Sequence, residues 1–483
     1  MGIGEKMANL DLWVVIAYVG VVFWLAWRVG GGRLNASASA EDQYLAGRSL
    51  SFTESILSII ATEVSALTFL GIPAFAFNQH FGFVQIYFGA ILGRLLIALV
   101  FLPKIYGQGL TIYEAMARGS RSNRGRKTVA VFYALSKIFS VGVRLFSGSI
   151  LVASFLGIDV YLGLATVTFV TFLYTLIGGL KAVVRTDIMQ MGIFVLGGLV
   201  AHVLIPHVAG QSWSELMALA HGAGKTMIFD WSQPMSIVAG VLGGVLFDMS
   251  THGVDQDFAQ RLTANRSMRK AQQAIFFSSF LSISVGLLFL GIGALLWAYY
   301  QSHLFPAKVP NADHLFAHFI VEHFPAGLRG LMVAGVLAAT MSTLDSTINA
   351  LCATVTNDIL PQRSGRSLGQ YFLIDNVVIT LLLFTVAVVA SQNDGLLLLG
   401  LKVQSWTAGA LLSLFVARIL LARTFSGEFT AMQVVVAYVA GVGGVALNTL
   451  WLAGNWNWNT YFGCGLGLTA LFLWKKSSEL RKP

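Results

Sequence analysis

The chain has 483 residues, of which 56% are hydrophobic and 11% are charged, and its mean hydropathy is +0.73. Soluble domains carry about 25% charged residues, so this composition excludes a soluble enzyme or binding module and indicates a polytopic membrane protein. The formal charge of +9 would also suit a nucleic-acid-binding protein, but its distribution along the chain argues against that. The two cysteines, Cys352 and Cys464, lie in apolar runs without metal-ligand spacing, so neither a disulfide framework nor a redox site is expected.

Apolar runs separated by short polar segments predict about 13 transmembrane helices. The predicted spans are approximately residues 10–29, 51–77, 82–102, 128–156, 160–177, 187–206, 236–251, 271–299, 328–355, 369–390, 395–417, 431–451 and 458–473. The first span has no convincing small-residue cleavage site and carries Trp24 and Trp27 near its inner end. We therefore expect a retained N-terminal anchor and not a signal peptide.

The basic residues predict the orientation of the chain. If the N-terminus is outside, most of the 31 Lys and Arg residues fall in inner loops. The outer loops then hold only Lys6, Lys225, Lys308 and Arg329. The positive-inside rule therefore predicts a multi-pass protein of the cell inner (plasma) membrane, with its N-terminus outside and its C-terminus in the cytoplasm. The net positive charge reflects this topology, so no nucleic-acid partner is expected, and the chain is expected to function as a monomer in the lipid bilayer.

The stretch Ser51–Phe77, SFTESILSIIATEVSALTFLGIPAFAF, has the length and apolarity of a span but cannot be an ordinary one. It contains Glu54 and Glu63, and Gly71 and Pro73 interrupt its second half. A carboxylate at the centre of a span costs roughly 2.5–3.5 kcal/mol, so Glu63 must face protein, water or an ion. Irregular backbone at membrane depth is tolerated only where it lines a cavity. We predict a discontinuous helix whose free carbonyls and hydroxyls form a solute and ion site near the midplane.

A second interrupted helix is predicted at the corresponding place in the second half of the chain. The predicted segments are an anchor (10–29), a first repeat of five spans (51–206), a second repeat of five spans (236–417) and two C-terminal spans (431–473). The first span of the second repeat reads SIVAGVLGGVLFDMST, with Gly240, Gly243 and Gly244 at its centre. Close helix packing explains these glycines equally well. Their matching position in the second half favours a broken helix and an inverted repeat.

A row of hydroxyl groups is predicted to face the first break. In the ninth predicted span, the sequence VLAATMSTLDSTINA places Ala339, Ser342, Thr343 and Ser346 at spacings i, i+3, i+4 and i+7, on one helix face. Asp345 adds a charge at membrane depth. A Ser/Thr row alone more often holds helices together. The added carboxylate favours a cation site.

Four stretches resemble the successive signatures of the sodium/solute symporter family, which includes sugar, proline, sialic acid, monocarboxylate and vitamin carriers. In chain order they are ATEVSALTFLGIP, YTLIGGLKAVVRTDIMQ, VDQDFAQR and PAGLRGLMVAGVLAATMSTLDSTIN. The resemblance covers the chain from Ser51 to about Asp358. It implies an all-α polytopic membrane protein with a LeuT-like 5+5 inverted repeat and an additional N-terminal span, which agrees with the predicted spans.

The resemblance also implies a central sodium site. It would be formed by the backbone oxygens of Ala61, Val64 and Ala339 and by the hydroxyl groups of Ser342 and Thr343. Each of these positions matches the family in residue type. No cofactor other than sodium, as the coupling ion, is expected.

Some members of the family have a second, inner sodium site, which the resemblance places at Asp187, Ser342 and Ser346. Where those relatives have a third hydroxyl group, this chain has Asp345. That carboxylate would either bind sodium more strongly or titrate as a proton site. Asp187 could equally be the partner of a nearby basic residue such as Arg185, and the sequence leaves these alternatives open.

The solute is expected just outside the central ion, beside the break, where Ser65 and Thr68 project together with Glu63. Gln85 on the next span is a further predicted contact. Arg144 lies midway through its span, where an unpaired guanidinium is prohibitive. Arg144 therefore either pairs permanently with Glu63 or receives a substrate carboxylate in bidentate fashion.

Two aromatic residues beside the predicted solute site, Phe69 and Phe247, are predicted to act as apolar gates, although aromatic residues at such positions more often serve packing. Arg261, in the third of the family-like stretches, is assigned to capping and gating at the inner end.

The sequence therefore predicts a sodium-coupled secondary active symporter that imports a small polar organic solute of the sugar, sialic acid or monocarboxylate type by alternating access. The alternatives are a transporter-fold membrane sensor and a proton-coupled carrier that uses Asp345 and Asp187. A sensor would be expected to continue into a soluble signalling module, whereas this chain stops shortly after its last predicted span. An intramembrane enzyme would need His or paired acids converging on a nucleophile, and the histidines cluster in loops or near span ends, so no enzymatic activity is expected.

Overall fold

The computed structural model describes residues 9–30, 39–117, 123–229, 237–306, 312–360, 368–391, 396–425, 429–452 and 456–480. Regular secondary structure within these ranges is helical, apart from one isolated bridge between Leu50 and Asn265. Ser236 and Gly395, which fall in the predicted second repeat, lie outside the described residues.

The α-helices are numbered α1 to α19 in chain order. Their bounds are α1 Asn9–Gly30, α2 Ala40–Leu45, α3 Phe52–Glu63, α4 Ala66–Asn78, α5 Val84–Leu96, α6 Leu102–Ile105, α7 Ile112–Met116, α8 Arg124–Leu156, α9 Val160–Ala209, α10 Trp213–Gly222, α11 Ile237–Asp248, α12 Gln256–Thr263, α13 Met268–Ser302, α14 Leu315–His323, α15 Leu328–Thr354, α16 Leu368–Ala390, α17 Leu396–Ile419, α18 Ala431–Ala446 and α19 Asn459–Leu480. Short π-helical segments continue four of them, at Ile97–Phe101, Met249–Gly253, Val355–Ile359 and Leu447–Trp451.

Every predicted span coincides with a helix. Among the described residues, nine helical segments are long and apolar enough to cross a membrane, and two bent helix pairs pass the same test. Helix α9 supplies two of the nine, because Gly179 with φ 57° interrupts it. The two remaining predicted spans, α17 and α19, are helices of 24 and 22 residues. At about 1.5 Å per residue, both are long enough for a hydrocarbon core of roughly 30 Å. The chain is thus an all-helical, multi-pass membrane protein.

The first bent pair, α3 and α4, turns by 63° at two extended residues. Val64 has φ −74° and ψ 126°, and Ser65 has φ −135° and ψ 179°. The Ser65 hydroxyl accepts a hydrogen bond from the backbone N–H of Leu67, and the Ser65 N–H donates to Oγ1 of Thr68, both at 3.3 Å. This reciprocal capping satisfies backbone groups that would otherwise be unpaired, so a new helix can start inside the membrane.

The second bent pair turns by 67° between α11, with its π-helical continuation, and α12. The continuation ends at Val254, and Asp255 has the extended backbone of an N-cap, with φ −90° and ψ 125°. The Asp255 carboxylate accepts a hydrogen bond from the backbone N–H of Asp257 at 3.0 Å. A capping side chain again starts the second helix.

The glycine and proline residues expected at these breaks lie inside helices. Gly71 and Pro73 belong to α4, and Gly240, Gly243 and Gly244 belong to α11. Close packing explains the glycines of α11, because a Cβ built on Gly244 would lie 2.5 Å from a carbonyl oxygen of α5. Extended residues followed by polar caps make the breaks, and the prediction that glycine and proline make them is wrong.

Helix α15 lies at the centre of the fold. In its most apolar 18-residue window, 94% of the residues are buried. It packs against α1, α3, α8 and α9. Its hydroxyl row, Ser342, Thr343 and Ser346, is buried. These polar groups therefore find their partners on neighbouring helices and in its own preceding turn.

The N-terminal helix α1 is joined to the start of α15 by hydrogen bonds and an ion pair. The Asp11 carboxylate accepts hydrogen bonds from the N–H groups of Gly327 and Gly330 at 2.7 and 2.9 Å and pairs with Arg329 at 3.2 Å. A carboxylate is stabilised at a helix N-terminus because the free N–H groups and the helix dipole both favour negative charge. This contact makes α1 an integral part of the bundle.

The substitution Gly244→Ala should destabilise the fold by about 1–3 kcal/mol, the usual cost of overpacking a tight contact. The new Cβ would lie 2.5 Å from the carbonyl oxygen of Ile86 and 3.1 Å from Cα of Gly89, which are backbone atoms. Gly192→Ala is the matched control, because nothing lies within 4 Å of that Cβ and alanine is the better helix former by about 0.8–1 kcal/mol. Thermal unfolding in detergent compares them. Equal melting temperatures would contradict the close packing of α5 and α11.

Candidate functional site

The structure brings the first helix break and the hydroxyl row together. The Ser342 Oγ lies 3.1 Å from the carbonyl oxygen of Ala61, near the end of α3. The Thr343 hydroxyl lies on the same helix and donates to the carbonyl oxygen of Ala339 at 3.0 Å. Val64 is itself one of the two extended residues. A sodium ion is typically bound by oxygen ligands of two kinds: carbonyl oxygens freed by a helix break, and hydroxyl oxygens from a facing helix.

Asp187 on α9 orients the Ser342 hydroxyl. Its Oδ1 lies 2.5 Å from Oγ of Ser342, and its Oδ2 accepts a hydrogen bond from Oγ of Ser58 at 2.6 Å. A serine hydroxyl has one proton, and donation to the carboxylate leaves its lone pairs available towards Ala61. Two oxygens that face each other with lone pairs repel unless a cation lies between them. The arrangement is therefore suited to hold a small cation.

Arg261 lies in the predicted second cation site. Its fully buried guanidinium pairs with Asp187 at 3.0 Å and with Asp257 at 2.8 Å. It also donates to Ser58 at 2.7 Å and to the hydroxyl of Ser346. Arg261 was expected to cap the inner end, but in the structure it supplies positive charge between Asp187 and Ser346.

Asp345, the remaining residue of the predicted second site, is fully buried. It accepts hydrogen bonds from the Tyr174 hydroxyl and, at 3.2 Å, from the Ser346 hydroxyl. Among the described residues, no Lys or Arg nitrogen lies within 4.0 Å of it. Arg185, the alternative partner considered for Asp187, pairs with Glu54 at 2.7 Å.

These side chains belong to a buried polar network with more acids than bases. Lys137 joins it by ion pairs of 2.7 Å to Asp255 and 3.1 Å to Asp257. Its charged members are the acids Asp187, Asp255, Asp257 and Asp345 and the bases Lys137 and Arg261. Buried charge without a partner is costly. When all members are ionised, the excess negative charge favours a cation at the adjacent oxygens of Ala61 and Ser342.

A cavity beside the break has an empty volume of about 820 Å³, including the part open to solvent. Four residues predicted to contact the solute line it, namely Glu63, Ser65, Thr68 and Arg144, and so does the predicted gate Phe247. Sequence reasoning did not find the rest of the lining. This comes mainly from α5, from the second bent pair and from α17, and includes Tyr87, Asp248, Thr251, His252, Phe258, Gln404 and Trp456.

Two predicted site residues lie outside the cavity lining. The Gln85 side chain donates to the carbonyl oxygen of Ile228 at 2.6 Å. This bond connects α5 to the segment that follows α10. Phe69 is buried in an aromatic cluster, with ring centroids 5.7 Å from Phe194 and 5.1 Å from Phe316. In this conformation it has the packing role that the sequence analysis gave as the alternative.

Arg144 does not pair with Glu63 in the structure. Its Nη2 donates to Oε1 of Gln404 at 2.6 Å, and its buried Nε has no hydrogen-bond partner. Among the described residues, no carboxylate oxygen lies within 4.0 Å of Arg144. This guanidinium lines the cavity with unsatisfied donor capacity. It can therefore receive an anion with its planar donor fork.

Glu63 pairs instead with Arg94, which is fully buried on α5. Arg94 Nη2 lies 2.8 Å from Glu63, its Nε lies 3.2 Å from Asp248, and its Nη1 donates to Ser278 and Ser282 at 2.8 and 3.0 Å. An arginine inside one apolar span, with acids inside two others, is the signal that could have revealed this cluster.

His252 completes the Arg94 cluster. Its Nδ1 lies 3.0 Å from Asp248, and its Nε2 lies 3.1 Å from Arg94 and 3.7 Å from Glu63. The imidazole therefore lies within ion-pair distance of both carboxylates as well as beside the guanidinium, so these four side chains form one compact cluster at this wall of the cavity.

Arg94→Gln should lower the free energy of unfolding by about 3–5 kcal/mol, because it leaves the two carboxylates of this cluster without the guanidinium that both contact. The triple variant Arg94→Gln with Glu63→Gln and Asp248→Asn should regain most of this loss, since no buried charge is left unpaired. The yield of folded protein after detergent extraction and the apparent melting temperature measure both effects. A triple variant no more stable than the single variant would show that charge pairing does not explain the role of Arg94.

Comparison with solved structures identifies the fold. A Na⁺-coupled sialic acid symporter, in a substrate-bound outward-open state, superposes with a TM-score of 0.86 at 20% sequence identity, covering 99% of each chain. The nucleobase-cation-symport-1 transporter Mhp1, in a closed conformation, gives a TM-score of 0.58 at 16% identity, covering 90% of this chain and 95% of its own. The predicted LeuT-like fold is confirmed.

Comparison with sequences identifies the family. Human sodium-coupled monocarboxylate transporter 1 is 30% identical over 430 residues, covering 84% of this chain and 67% of the relative. The sodium/sialic acid symporter NanT of Aliivibrio fischeri is 23% identical over 475 residues, covering 95% of this chain and 90% of the relative. The model of the sodium:solute symporter family matches residues 43–434. The chain belongs to the sodium:solute symporter family.

Proposed function

We propose that this protein is a sodium-coupled symporter that imports a small organic solute carrying a carboxylate group, by alternating access. The contact of Ser342 Oγ with the carbonyl oxygen of Ala61, across the first helix break, is the observation that carries the proposal. It places oxygen donors of two helices together at membrane depth, directly beside a cavity large enough for an organic solute. The proposed orientation is N-terminus outside and C-terminus in the cytoplasm.

One sodium ion binds at the junction of α3 and α15. Its ligands are the backbone oxygens of Ala61, Val64 and Ala339 and the hydroxyl groups of Ser342 and Thr343. The Asp187 carboxylate, which accepts the hydrogen bond of the Ser342 hydroxyl, leaves the lone pairs of that hydroxyl available to the ion. Sodium has no preferred bond directions from d electrons, so an irregular set of neutral oxygens suffices, provided that each is held in place.

Sodium couples to transport because its ligands lie on two different elements. The ion joins α3 to α15 and favours the conformation in which both sets of oxygens are within reach. The solute binds on the other side of the same break, at Ser65 and Thr68. Each ligand therefore favours the conformation that the other needs, which is coupling through differential affinity for conformational states.

Arg144 supports an acidic solute. Its guanidinium lines the cavity and has no carboxylate partner among the described residues. A permanently charged group in this position is best stabilised by a solute carboxylate, which matches its geometry in bidentate fashion. The relatives named above transport monocarboxylates and sialic acid, both of which carry a carboxylate. A neutral sugar would leave the arginine without a counterion.

The surroundings of Asp345 favour one alternative, proton-coupled transport, which the experiment therefore has to distinguish. Among the described residues, Asp345 is buried and accepts hydrogen bonds from the hydroxyl groups of Tyr174 and Ser346. If protons, and not sodium, drive transport through Asp345 and Asp187, replacing Na⁺ by K⁺ at constant pH will leave uptake unchanged. A sensor would bind solute without moving it into sealed vesicles.

NaCl should raise the apparent melting temperature of the detergent-solubilised protein relative to KCl at equal ionic strength. Binding to the native state alone contributes about 2.7 kcal/mol when the ion is at 100 times its Kd. In the double variant Ser342→Ala, Thr343→Ala, the sodium concentration for half-maximal stabilisation should rise at least about tenfold, equivalent to about 1.4 kcal/mol.

Thr354→Ala is the matched control for this experiment. It removes a buried hydroxyl from the same helix, one that donates to the carbonyl oxygen of Ala350 at 2.9 Å. Its sodium concentration for half-maximal stabilisation should stay within about twofold of that of the unmodified protein, because a substitution remote from a binding site rarely couples to it. An identical response to Na⁺ and K⁺, or an unchanged response in the double variant, would refute the proposed sodium site.

A further inference from the structure

We propose that the solute is a zwitterion of the amino-acid class, whose carboxylate binds Arg144 and whose ammonium group binds at the wall formed by Glu63 and Asp248. This inference rests on the proposed function and goes further, because it assigns a role to a second, oppositely charged wall of the same cavity.

The two walls present groups of opposite charge. On α8, Arg144 lines the cavity with no carboxylate within 4.0 Å among the described residues. On α3 and α11, Glu63 and Asp248 line the same cavity, and both contact the guanidinium of Arg94. One cavity therefore presents an arginine with an unused donor and two carboxylates, supplied by different helices.

The acidic wall is open to a ligand. The Glu63 side chain is 22% exposed, whereas that of Arg94 is completely buried. The hydrogen bonds that Glu63 accepts from Arg94 and Ser282 both go to Oε2, which leaves Oε1 available to the cavity. On the same wall, Oδ2 of Asp248 has no hydrogen-bond partner but is buried. Oε1 of Glu63 is therefore the oxygen that an ammonium group can reach, and Asp248 acts on that group through its charge.

The rest of the lining suits a cation with a small organic body. Tyr87, Phe247, Phe258 and Trp456 contribute aromatic rings to the cavity. Aromatic faces attract ammonium groups, most strongly where water is excluded. A simple carboxylate would contact Arg144 and leave Oε1 of Glu63 without a ligand partner, and a sugar would form an ion pair with neither wall. A zwitterion forms an ion pair with both walls.

The experiment compares solutes that differ in one group. Each α-amino acid is tested against its 2-hydroxy acid, which keeps the carboxylate and replaces the ammonium group by a hydroxyl, and against the amine that lacks the carboxylate. Binding is measured by thermal stabilisation of the purified full-length protein in NaCl and in KCl. At least one amino acid should bind in NaCl at least about tenfold more tightly than both of its analogues, the usual effect of losing a hydrogen bond to a charged group.

Two acidic-wall variants test where the ammonium group binds. Glu63→Gln and Asp248→Asn keep the shapes of the side chains and remove the charges, and either one should reduce the preference for the amino acid over its 2-hydroxy acid. Using both keeps the test informative if one variant does not fold. Arg144→Gln should weaken the amino acid and the 2-hydroxy acid by a similar factor, because both carry the carboxylate.

The possible failures are distinguishable. If a 2-hydroxy acid, a simple monocarboxylate or a sugar binds in a sodium-dependent manner as tightly as any amino acid, the zwitterion inference is overturned and sodium symport stands. The same holds if sodium stabilises the protein but no amino acid binds, or if the folded acidic-wall variants keep the full preference. If sodium has no effect at all, the proposed function itself fails.

Discussion

The structure depends on an interruption of hydrogen bonding at membrane depth. Val64 and Ser65 leave the helical conformation where no lipid or bulk water can satisfy the backbone. The break is stable because Ser65 caps the next helix and because the N–H of Val64 keeps its bond to the carbonyl oxygen of Ile60. The freed carbonyl oxygen of Ala61 faces Ser342 of α15. A polar helix has to lie opposite the break, and α15 provides it. The burial of α15 at the centre of the bundle is therefore part of the same constraint as the ion site.

Much of the fold could be predicted from the sequence, because span length and hydrophobic pattern are local properties. The thirteen predicted spans coincide with helices. The contact between Ala61 and Ser342 also agrees with prediction, since a hydroxyl row of helical spacing and a polar, interrupted span are both visible in the sequence. The glycines of α11 were misread, because glycine favours close packing and helix breaks alike, and only the neighbour across the contact decides between them.

The pairing of charges could not be predicted, because it depends on how the spans are arranged in three dimensions. Three spans each place one charged residue at membrane depth, namely Glu63, Arg94 and Arg144. The sequence alone allows several pairings of these charges. The structure selects Arg94 for Glu63 and leaves Arg144 facing the cavity. The same reasoning applies to Asp187, for which nearby Arg185 is one of the alternatives that the sequence leaves open, whereas the structure pairs it with the distant Arg261. Proximity in sequence is a poor guide once helices pack side by side.

The spacing of polar residues along the first bent pair explains how two ligands can be linked without touching. Ala61 lies on the side of the break where we propose that the ion binds, and Ser65 and Thr68 lie on the cavity side. The N–H of Val64 still bonds to the carbonyl oxygen of Ile60, and the carbonyl oxygen of Ser65 accepts from the N–H of Thr68. The departure from the helical pattern is therefore confined to a short segment between two helix ends. An ion that fixes one end of this short segment restricts the other end, and a solute does the same in reverse. By thermodynamic linkage, the ion changes the free energy of solute binding by the same amount as the solute changes the free energy of ion binding. A rigid, continuous helix could present the same side chains. It would, however, have no flexible segment whose conformation one ligand could fix and thereby favour binding of the other.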